Sequence, residues 1–266
     1  MDSTSNPLPS VTGTSEREIN ILLINPNSTK SMTEACLRSV APTLPLHVTV
    51  HGFTPSPPAP SAVEGRVDGI LSSAECLRAI LPIASRYDAF LVACFSAHPL
   101  IMALREEVTQ PVIGIMEAAL YASRMCGAKL GVITTSQRSK SMHQKSINDY
   151  GFAEYSAGCE AANVAVLELE SKPKEEVYSG LVAAAHKLVN EKEADCICLG
   201  CAGMTEMRMV CEEAVGMDER QVMVVDGVGM GVHFLTSLVR ENLGTAKRGE
   251  YRSAAQARAR RNQDWL

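Results

Sequence analysis

Cysteine is the side-chain type most able to do chemistry in this 266-residue sequence, which contains nine cysteines. An odd number of cysteines, and a first stretch without the pattern of a secretory signal, argue against a disulfide framework. Most of these thiols are therefore expected to be buried as small apolar side chains. Cys94 and Cys201 differ from the others, because each follows a short apolar run and precedes a polar turn. They are the candidates for catalytic thiols.

Two thiols that face each other across one carbon atom could invert its configuration. One would remove a proton as a thiolate, and the other would return a proton to the opposite face as a thiol. A free cysteine has a pKa of about 8.5, and the N-terminus of a helix lowers it, so a turn from strand to helix favours a thiolate base. Hydroxyls such as those of Ser96 and Thr135, with backbone N–H groups, could stabilise the enolate oxygen, and Gly203 would let a substrate approach the backbone.

Short apolar runs that alternate with longer helical patterns must position these residues. Such alternation predicts an α/β fold in which parallel sheets carry helices on both faces. Predicted strands cover residues 19–24, 89–93, 112–115, 129–133, 196–199 and 222–225, and the alternating run 47–51 is typical of an edge strand. Predicted helices cover residues 62–85, 117–125, 174–190 and 228–242, and a capping box at residues 31–34 predicts another that runs toward Val40.

An internal repeat divides the sequence into two related parts. The segment ILLINPNSTKSM at residues 21–32 aligns without gaps with GVITTSQRSKSM at residues 131–142. We therefore predict two pseudo-symmetric α/β halves, residues 19–116 with 222–266 and residues 117–221, after a disordered lead-in at residues 1–18. Because ligands bind beyond the carboxyl ends of strands in such sheets, the site is expected in the cleft between the halves, with one cysteine on each wall.

Four segments lie at the ends of predicted strands: NPNST at 25–29, ACFS at 93–96, GVITT at 131–135 and LGCAGM at 199–204. In this order over residues 19–243 they resemble the Asp/Glu/hydantoin racemase superfamily, and within it the hydantoin racemase branch that includes allantoin racemases. The resemblance implies a homo-oligomeric, cofactor-independent racemase in which Cys94 and Cys201 are the two acid/base residues. It further implies that the small-molecule substrate, a 5-substituted hydantoin such as allantoin, is surrounded by Asn25, Asn27, Phe95, Ser96, Thr134, Thr135, Ala202 and Gly203.

Alternatives to a hydantoin racemase stay open at this point. The sequence SAHP at residues 96–99 departs from the Asp and Gly that this family commonly has after the first cysteine, and this loop is expected to contact the ring substituent. A maleate-type cis–trans isomerase or an Asp/Glu racemase could use the same scaffold. A ligand-binding or sensor protein could retain the cleft without turnover.

Other conspicuous residues are expected to have structural roles. Glu117 and Asp226 follow short strands, where acidic residues commonly cap helices. His98 is interpreted as a residue at the start of a helix, although it could also tune a thiolate pKa. The run GVGMG at residues 227–231 lacks the spacing of a dinucleotide-binding motif and instead indicates close helix packing.

Composition limits the kinds of partner. A formal net charge of −5 gives no indication of a nucleic-acid partner, and the basic run near the C-terminus is interpreted as solvated. No apolar run is long enough to span a membrane, so a cytoplasmic location is expected. Cys196 and Cys198 lie in a predicted strand without the four ligands of a closed zinc site, so no metal is expected.

Overall fold

Two four-stranded parallel sheets form the framework of the computed structural model, which describes residues 8–216, 221–263 and 266. The strands are β1 (Ile19–Ile24), β2 (Val48–Phe53), β3 (Ala89–Val92), β4 (Val112–Gly114), β5 (Leu130–Thr134), β6 (Ser156–Ala161), β7 (Cys196–Leu199) and β8 (Met223–Val225). The first sheet has the order β2-β1-β3-β4 and the second has the order β6-β5-β7-β8. Because the two orders are the same, the predicted α/β fold of two pseudo-symmetric halves is confirmed.

Helices cover both faces of each sheet. They are α1 (Lys30–Val40), α2 (Arg66–Ile80), α3 (Pro99–Glu107), α4 (Ile115–Cys126), α5 (Gln137–Asp149), α6 (Glu168–Ser171), α7 (Lys174–His186), α8 (Arg208–Ala214), α9 (Gly227–Arg240) and α10 (Ala255–Arg260). Short 3-10 segments at Ala41–Thr43, Leu81–Arg86, Ala153–Tyr155 and Ala202–Met207 extend or connect them, and a π-helical segment at Lys187–Glu191 follows α7.

The side chains of β1 explain why its apolar run is continuous. Ile19, Ile21 and Leu23 pack into a core that both halves share, whereas Leu22 and Ile24 pack into a second core outside the first sheet. A strand of a parallel sheet is buried on both faces, so it needs apolar residues at every position. The same alternation holds in β7, where the cysteines face the shared core and the aliphatic residues face outward.

Helices α4 and α9 pack against each other in the shared core. Gly227, the first residue of α9, approaches so closely that a Cβ atom there would overlap the carbonyl oxygen of Ile115, the first residue of α4. Gly231 is held against the side chain of Leu91 in β3. The interpretation of GVGMG as a helix-packing segment is therefore confirmed.

The ends of the two halves meet at β8. This strand hydrogen-bonds to β7 and completes the second sheet, whereas α9, which follows it, packs on β1 and β3 of the first. We propose that the chain crosses back to the first half after residue 225, not at residue 222, while the predicted boundary near residue 116 stays a prediction.

Two local features differ from the sequence-based prediction. The strand β6 was not predicted, because its sequence SAGCEA has few large apolar residues and half of it lies partly exposed at the edge of the second sheet. The predicted capping box at residues 31–34 is wrong, because α1 already begins at Lys30 and its N-cap, Thr29, makes no side-chain capping bond. Ser31 instead donates a hydrogen bond to Glu170 of the other half at 2.6 Å.

The lead-in to β1 carries neither helix nor strand at residues 8–18, and residues 1–7 of this predicted disordered segment lie outside the described residues. None of the helices in the described ranges has the length and apolar character needed to cross a bilayer.

The contact between Gly227 and Ile115 yields a stability prediction. Gly227→Ala should lower the free energy of unfolding by about 1–3 kcal/mol, because neither backbone can move away without disturbing the shared core. Gly229→Ala is a matched control in the same helix, since its nearest neighbour would lie at 3.9 Å. That variant should be neutral or stabilising by up to about 1 kcal/mol. Urea unfolding measures both values, and equal effects would contradict the assigned helix contact.

Candidate active site

Cys94 and Cys201 occupy equivalent positions in the two halves. β3 ends at Val92 and β7 ends at Leu199, and one small residue separates each strand from its cysteine. β3 and β7 also occupy the same place in their sheets, next to β1 and β5. Negative charge on Cys94 raises the pKa of Cys201.

The Cys94 thiol is half-buried at a tight turn. Its Sγ lies 3.3 Å from the hydroxyl oxygen of Ser96, and the Ser96 N–H donates a hydrogen bond to the Cys94 carbonyl oxygen at 2.9 Å. Burial raises the pKa of Cys94 to about 11, although the hydrogen bond to Ser96 opposes this effect. The thiol form is therefore favoured at neutral pH.

Cys201 is the N-cap residue of the 3-10 segment Ala202–Met207. Its pKa is raised to about 12, mainly by burial and also by the charges of Cys94 and Glu64, while a hydrogen bond from the Gly203 backbone opposes the rise. The expectation that a helix start would lower the pKa of these cysteines is thus wrong in direction. Loss of hydration outweighs the hydrogen bond at each thiol, with the Ser96 hydroxyl at Cys94 and with the Gly203 backbone at Cys201.

A cavity of ≈ 440 Å³ opens beside Cys94. Its walls come from both halves: residues 63–70 at the start of α2, residues 94–99 after β3, and one side of α5. This volume is in the range of small-molecule sites. The charged residues that line it are Glu64, Arg66, Lys145 and Asp149.

The residues predicted to surround a substrate fall into separate groups. Phe95 and Ser96 line the cavity together with Cys94. Ala202 and Gly203 flank Cys201, and a Cβ atom on Gly203 would lie 3.7 Å from the Cys201 sulfur. Within the described lining of the cavity, Cys201 and the remaining predicted residues do not occur: Asn25, Asn27, Thr134, Thr135, Ala202 and Gly203.

Asn25 and Asn27 shape the loop at the start of α1. Asn25 Nδ2 donates to Asn27 Oδ1 at 3.0 Å and to the hydroxyl of Thr33 at 3.1 Å. Asn27 Oδ1 also accepts from the N–H of Thr29 at 2.9 Å. Both asparagines therefore stabilise this turn, and contact of either side chain with a substrate stays a prediction.

Thr134 and Thr135 at the end of β5 also bond within their own half. The buried Thr134 hydroxyl donates to the carbonyl oxygens of Ser136 and Glu160, at 3.3 and 3.4 Å. The Thr135 hydroxyl lies 3.1 Å from that of Ser139. Neither threonine is among the residues that line the cavity, and contact of either one with a substrate stays a prediction.

Glu117 and Asp226 cap α4 and α9. Glu117 accepts a hydrogen bond from the Gly114 N–H at 2.9 Å and pairs with Arg105 at 2.9 Å. Asp226 accepts from the N–H of Val228 at 3.2 Å. Their predicted capping roles are confirmed.

His98 is fully buried and caps α3. Its Nδ1 accepts from the N–H of Leu100 at 3.3 Å, and its Nε2 lies 3.1 Å from the hydroxyl of Ser72. Burial lowers the pKa of His98 to about 4, so the ring is neutral at physiological pH. Both ring nitrogens are occupied, which supports its interpretation as a helix-start residue.

No cluster of three or more His, Cys, Asp or Glu residues is arranged to hold a metal ion in the part of the chain that the structure describes. Cys196 and Cys198 are buried in the shared core on one face of β7. They pack as apolar side chains.

Two residues near the thiols were not predicted. Glu64 lines the cavity, and its Oε1 accepts a hydrogen bond from the N–H of Val166 in the other half at 3.3 Å. His143 of α5 also lines the cavity, and its ring centroid lies 5.3 Å from that of Phe95. Glu64 lies after a proline-rich loop and His143 in a polar helix, so neither has a sequence signature. Only the alignment of residues 131–142 with 21–32 indicated that α5 follows an active-site strand.

Known proteins resemble this chain over most of its length. Residues 21–235 match the Asp/Glu/hydantoin racemase family. An uncharacterized Schizosaccharomyces pombe protein is 41% identical over 236 residues, which cover 88% of this chain and 98% of that protein. The hydantoin racemase of Rhizobium meliloti is 34% identical over 190 residues, which cover 71% of this chain and 78% of that enzyme.

The fold is shared with a solved racemase structure. Allantoin racemase from Pseudomonas fluorescens superposes with a TM-score of 0.82 and 28% sequence identity, covering 88% of this chain and 97% of that one. The residues 21–235 that match the family include both cysteine turns. The chain therefore belongs to the Asp/Glu/hydantoin racemase family and is an isomerase of the racemase type.

Proposed function

We propose that this protein racemises a 5-substituted hydantoin, such as allantoin, by proton transfer between C5 and the thiols of Cys94 and Cys201, without a cofactor. The observation that carries the proposal is the equivalent placement of two half-buried thiols, Cys94 and Cys201, just beyond the ends of β3 and β7. The hydantoin racemase and the allantoin racemase among the similar proteins support this substrate class.

The reaction moves one proton at a time. C5–H of a hydantoin lies between a carbonyl carbon and a ring nitrogen, so its removal gives an enolate that the ring itself can support. The Cys94 thiolate takes this proton and becomes a thiol. The Cys201 thiol then gives its proton to the opposite face of C5 and becomes a thiolate. The other enantiomer follows the same steps in reverse.

The enolate oxygen requires hydrogen-bond donors. Ser96 is a candidate, because its hydroxyl lines the cavity beside Cys94. The backbone N–H of Gly203 already interacts with Cys201, so it would stabilise that residue as a thiolate. The other proposed substrate contacts are those of the family resemblance: Asn25, Asn27, Phe95, Thr134, Thr135 and Ala202.

Charge around the site favours a neutral ring over a dicarboxylate. Two acidic and two basic side chains line the cavity, and Lys145 is paired with Asp149 at 2.5 Å. The carboxylate of Glu64 acts on Cys201 and would repel a second carboxylate there. These features count against the maleate-type isomerase and the Asp/Glu racemase as alternatives.

We also propose that the protein is a homo-oligomer, on the resemblance to the family alone, and that it acts in the cytoplasm. Light scattering after size-exclusion chromatography measures the assembly, and a monomer would contradict this part of the proposal.

Cysteine replacement tests the two-base mechanism. Cys94→Ser and Cys201→Ser should each lower the racemisation rate of single-enantiomer allantoin by at least about a hundredfold, because a serine hydroxyl is a far weaker acid and base at these positions. In deuterated water each variant should still exchange the C5 proton of one enantiomer, and the two variants should differ in which one. Optical rotation and NMR follow the two processes after subtraction of the uncatalysed rate.

Cys126→Ser is the matched control, since Cys126 is exposed at the end of α4 and away from the cavity. It should retain the wild-type rate. Racemisation by Cys94→Ser at the wild-type rate would refute the assignment of Cys94. If allantoin stabilises the wild-type protein against thermal unfolding but its C5 proton does not exchange, a binding protein would be favoured over an enzyme.

The raised thiol pKa values predict a pH dependence. The reaction needs one thiolate, and burial places the pKa of Cys94 at about 11 and that of Cys201 at about 12. Below the lower value the thiolate fraction rises about tenfold for each pH unit. kcat/KM should therefore rise continuously between about pH 7 and pH 9, and initial rates in overlapping buffers would measure it. A plateau that begins at neutral pH would contradict this electrostatic picture.

A further inference from the structure

We propose that a cavity between α5 and β6 is a binding site for a small polyvalent oxyanion, a molecule that carries phosphoryl groups or several carboxylates. This cavity has a volume of ≈ 430 Å³, which is in the range of small-molecule sites. It is separate from the cavity beside Cys94, and the inference does not rest on the proposed function. The residues that line it are Lys140, Ser141, Gln144, Lys145, Asn148, Gly158, Cys159 and Lys192.

The two cavities lie on opposite sides of α5. Positions 140, 144 and 148 line the proposed anion site, whereas positions 139, 142, 143, 146 and 149 line the cavity beside Cys94. Residues three and four apart share one face of a helix, so these two sets occupy opposite faces. Lys145, which pairs with Asp149, borders both cavities. An anion bound here would therefore contact the helix that forms one wall of the active site.

Positive charge collects beside the proposed anion site. In its described lining, the charged residues are Lys140, Lys145 and Lys192. Nζ of Lys140 lies 3.1 Å and Nζ of Lys187 lies 3.2 Å from carboxylate oxygens of Glu160. Lys192 pairs with the same carboxylate. One carboxylate balances only one of three ammonium groups, so two positive charges are left for a ligand.

Glu160 holds the lysines in place from within the protein. Its side chain is buried on β6, and although burial acts to raise the pKa of Glu160, hydrogen bonds from the three lysines lower it to about 2. The carboxylate is therefore ionised at neutral pH. The positive charge also reaches the lining of the cavity: burial raises the pKa of the Cys159 thiol, and the ammonium groups of Lys192 and Lys140 oppose this rise.

Gly158 keeps the space between these donors open. Its φ is 102°, in the left-handed region that favours glycine, and a Cβ atom there would lie 3.4 Å from Nζ of Lys192 and 3.5 Å from Oε1 of Gln144. The register of β6 against β5 shifts at this point. Irregular strands and strand glycines commonly occur where a ligand approaches the backbone. The hydroxyl of Ser141 and the amide of Asn148 add neutral donors to the lysines, which suits an oxyanion because it offers acceptors only.

Calorimetric titration with pyrophosphate and with citrate, at one ionic strength, tests this site and distinguishes phosphoryl from carboxylate ligands. The wild type should bind at least one of them with a Kd of about 1 mM or lower. Lys140→Gln should raise this Kd about tenfold, because it removes an ammonium group from the lining. Lys187→Gln is the matched control, since Lys187 pairs with the same Glu160 carboxylate but is not among the lining residues. Its Kd should change by less than about twofold.

Two results would overturn the proposal: binding of neither anion by the wild type, or equal Kd values in Lys140→Gln and Lys187→Gln. Lys140 is not among the residues that line the cavity beside Cys94, so an anion bound there would not distinguish these two variants. Thermal unfolding shows whether each variant is folded. If Lys140→Gln is not, Ser141→Glu decides, because it places negative charge at an exposed position of the lining and leaves the ion pairs of Glu160 intact. It should abolish binding, and an unchanged Kd would refute the site.

Discussion

Close packing of α4 against α9 is the contact on which the rest of the molecule depends. Each of these helices follows the last strand of one sheet, and their crossing sets how the two sheets face each other. Gly227 permits the approach because the backbone of Ile115 occupies the space where a side chain would stand. Cys94 and Cys201 are held by different sheets, so the spacing between their sulfur atoms follows from this helix pair more than from either turn.

The second constraint is electrostatic. Both thiols are partly dehydrated, and negative charge on Cys94 disfavours negative charge on Cys201. A reaction that always needs one thiolate and one thiol suits that condition. High pKa values reduce the amount of thiolate, yet they also make the thiolate that forms a stronger base toward a carbon acid.

Much of the fold and part of the candidate site could be predicted from the sequence. β1 and β7 can be predicted from the sequence because strands buried on both faces require continuous apolar runs. The polar segments beyond them mark the ligand side of the sheets. β6 was missed because an edge strand needs fewer apolar residues. Glu64 and His143 could not be found, since they reach the site only through tertiary packing. The direction of the thiol pKa shifts depends on burial, which a local motif does not encode.

Pseudo-symmetry within one chain has a consequence for recognition. Two identical copies of such a half, assembled around a true twofold axis, would present identical surroundings to both sulfur atoms. Here a peptide link joins the halves, and Phe95 and Ser96 follow one thiol where Ala202 and Gly203 follow the other. The turn after Cys94 is bulky and carries a hydroxyl, whereas the turn after Cys201 is small. Such a pair of turns suits a ligand whose two sides differ, even where the same proton transfer is to occur from either side of its central carbon.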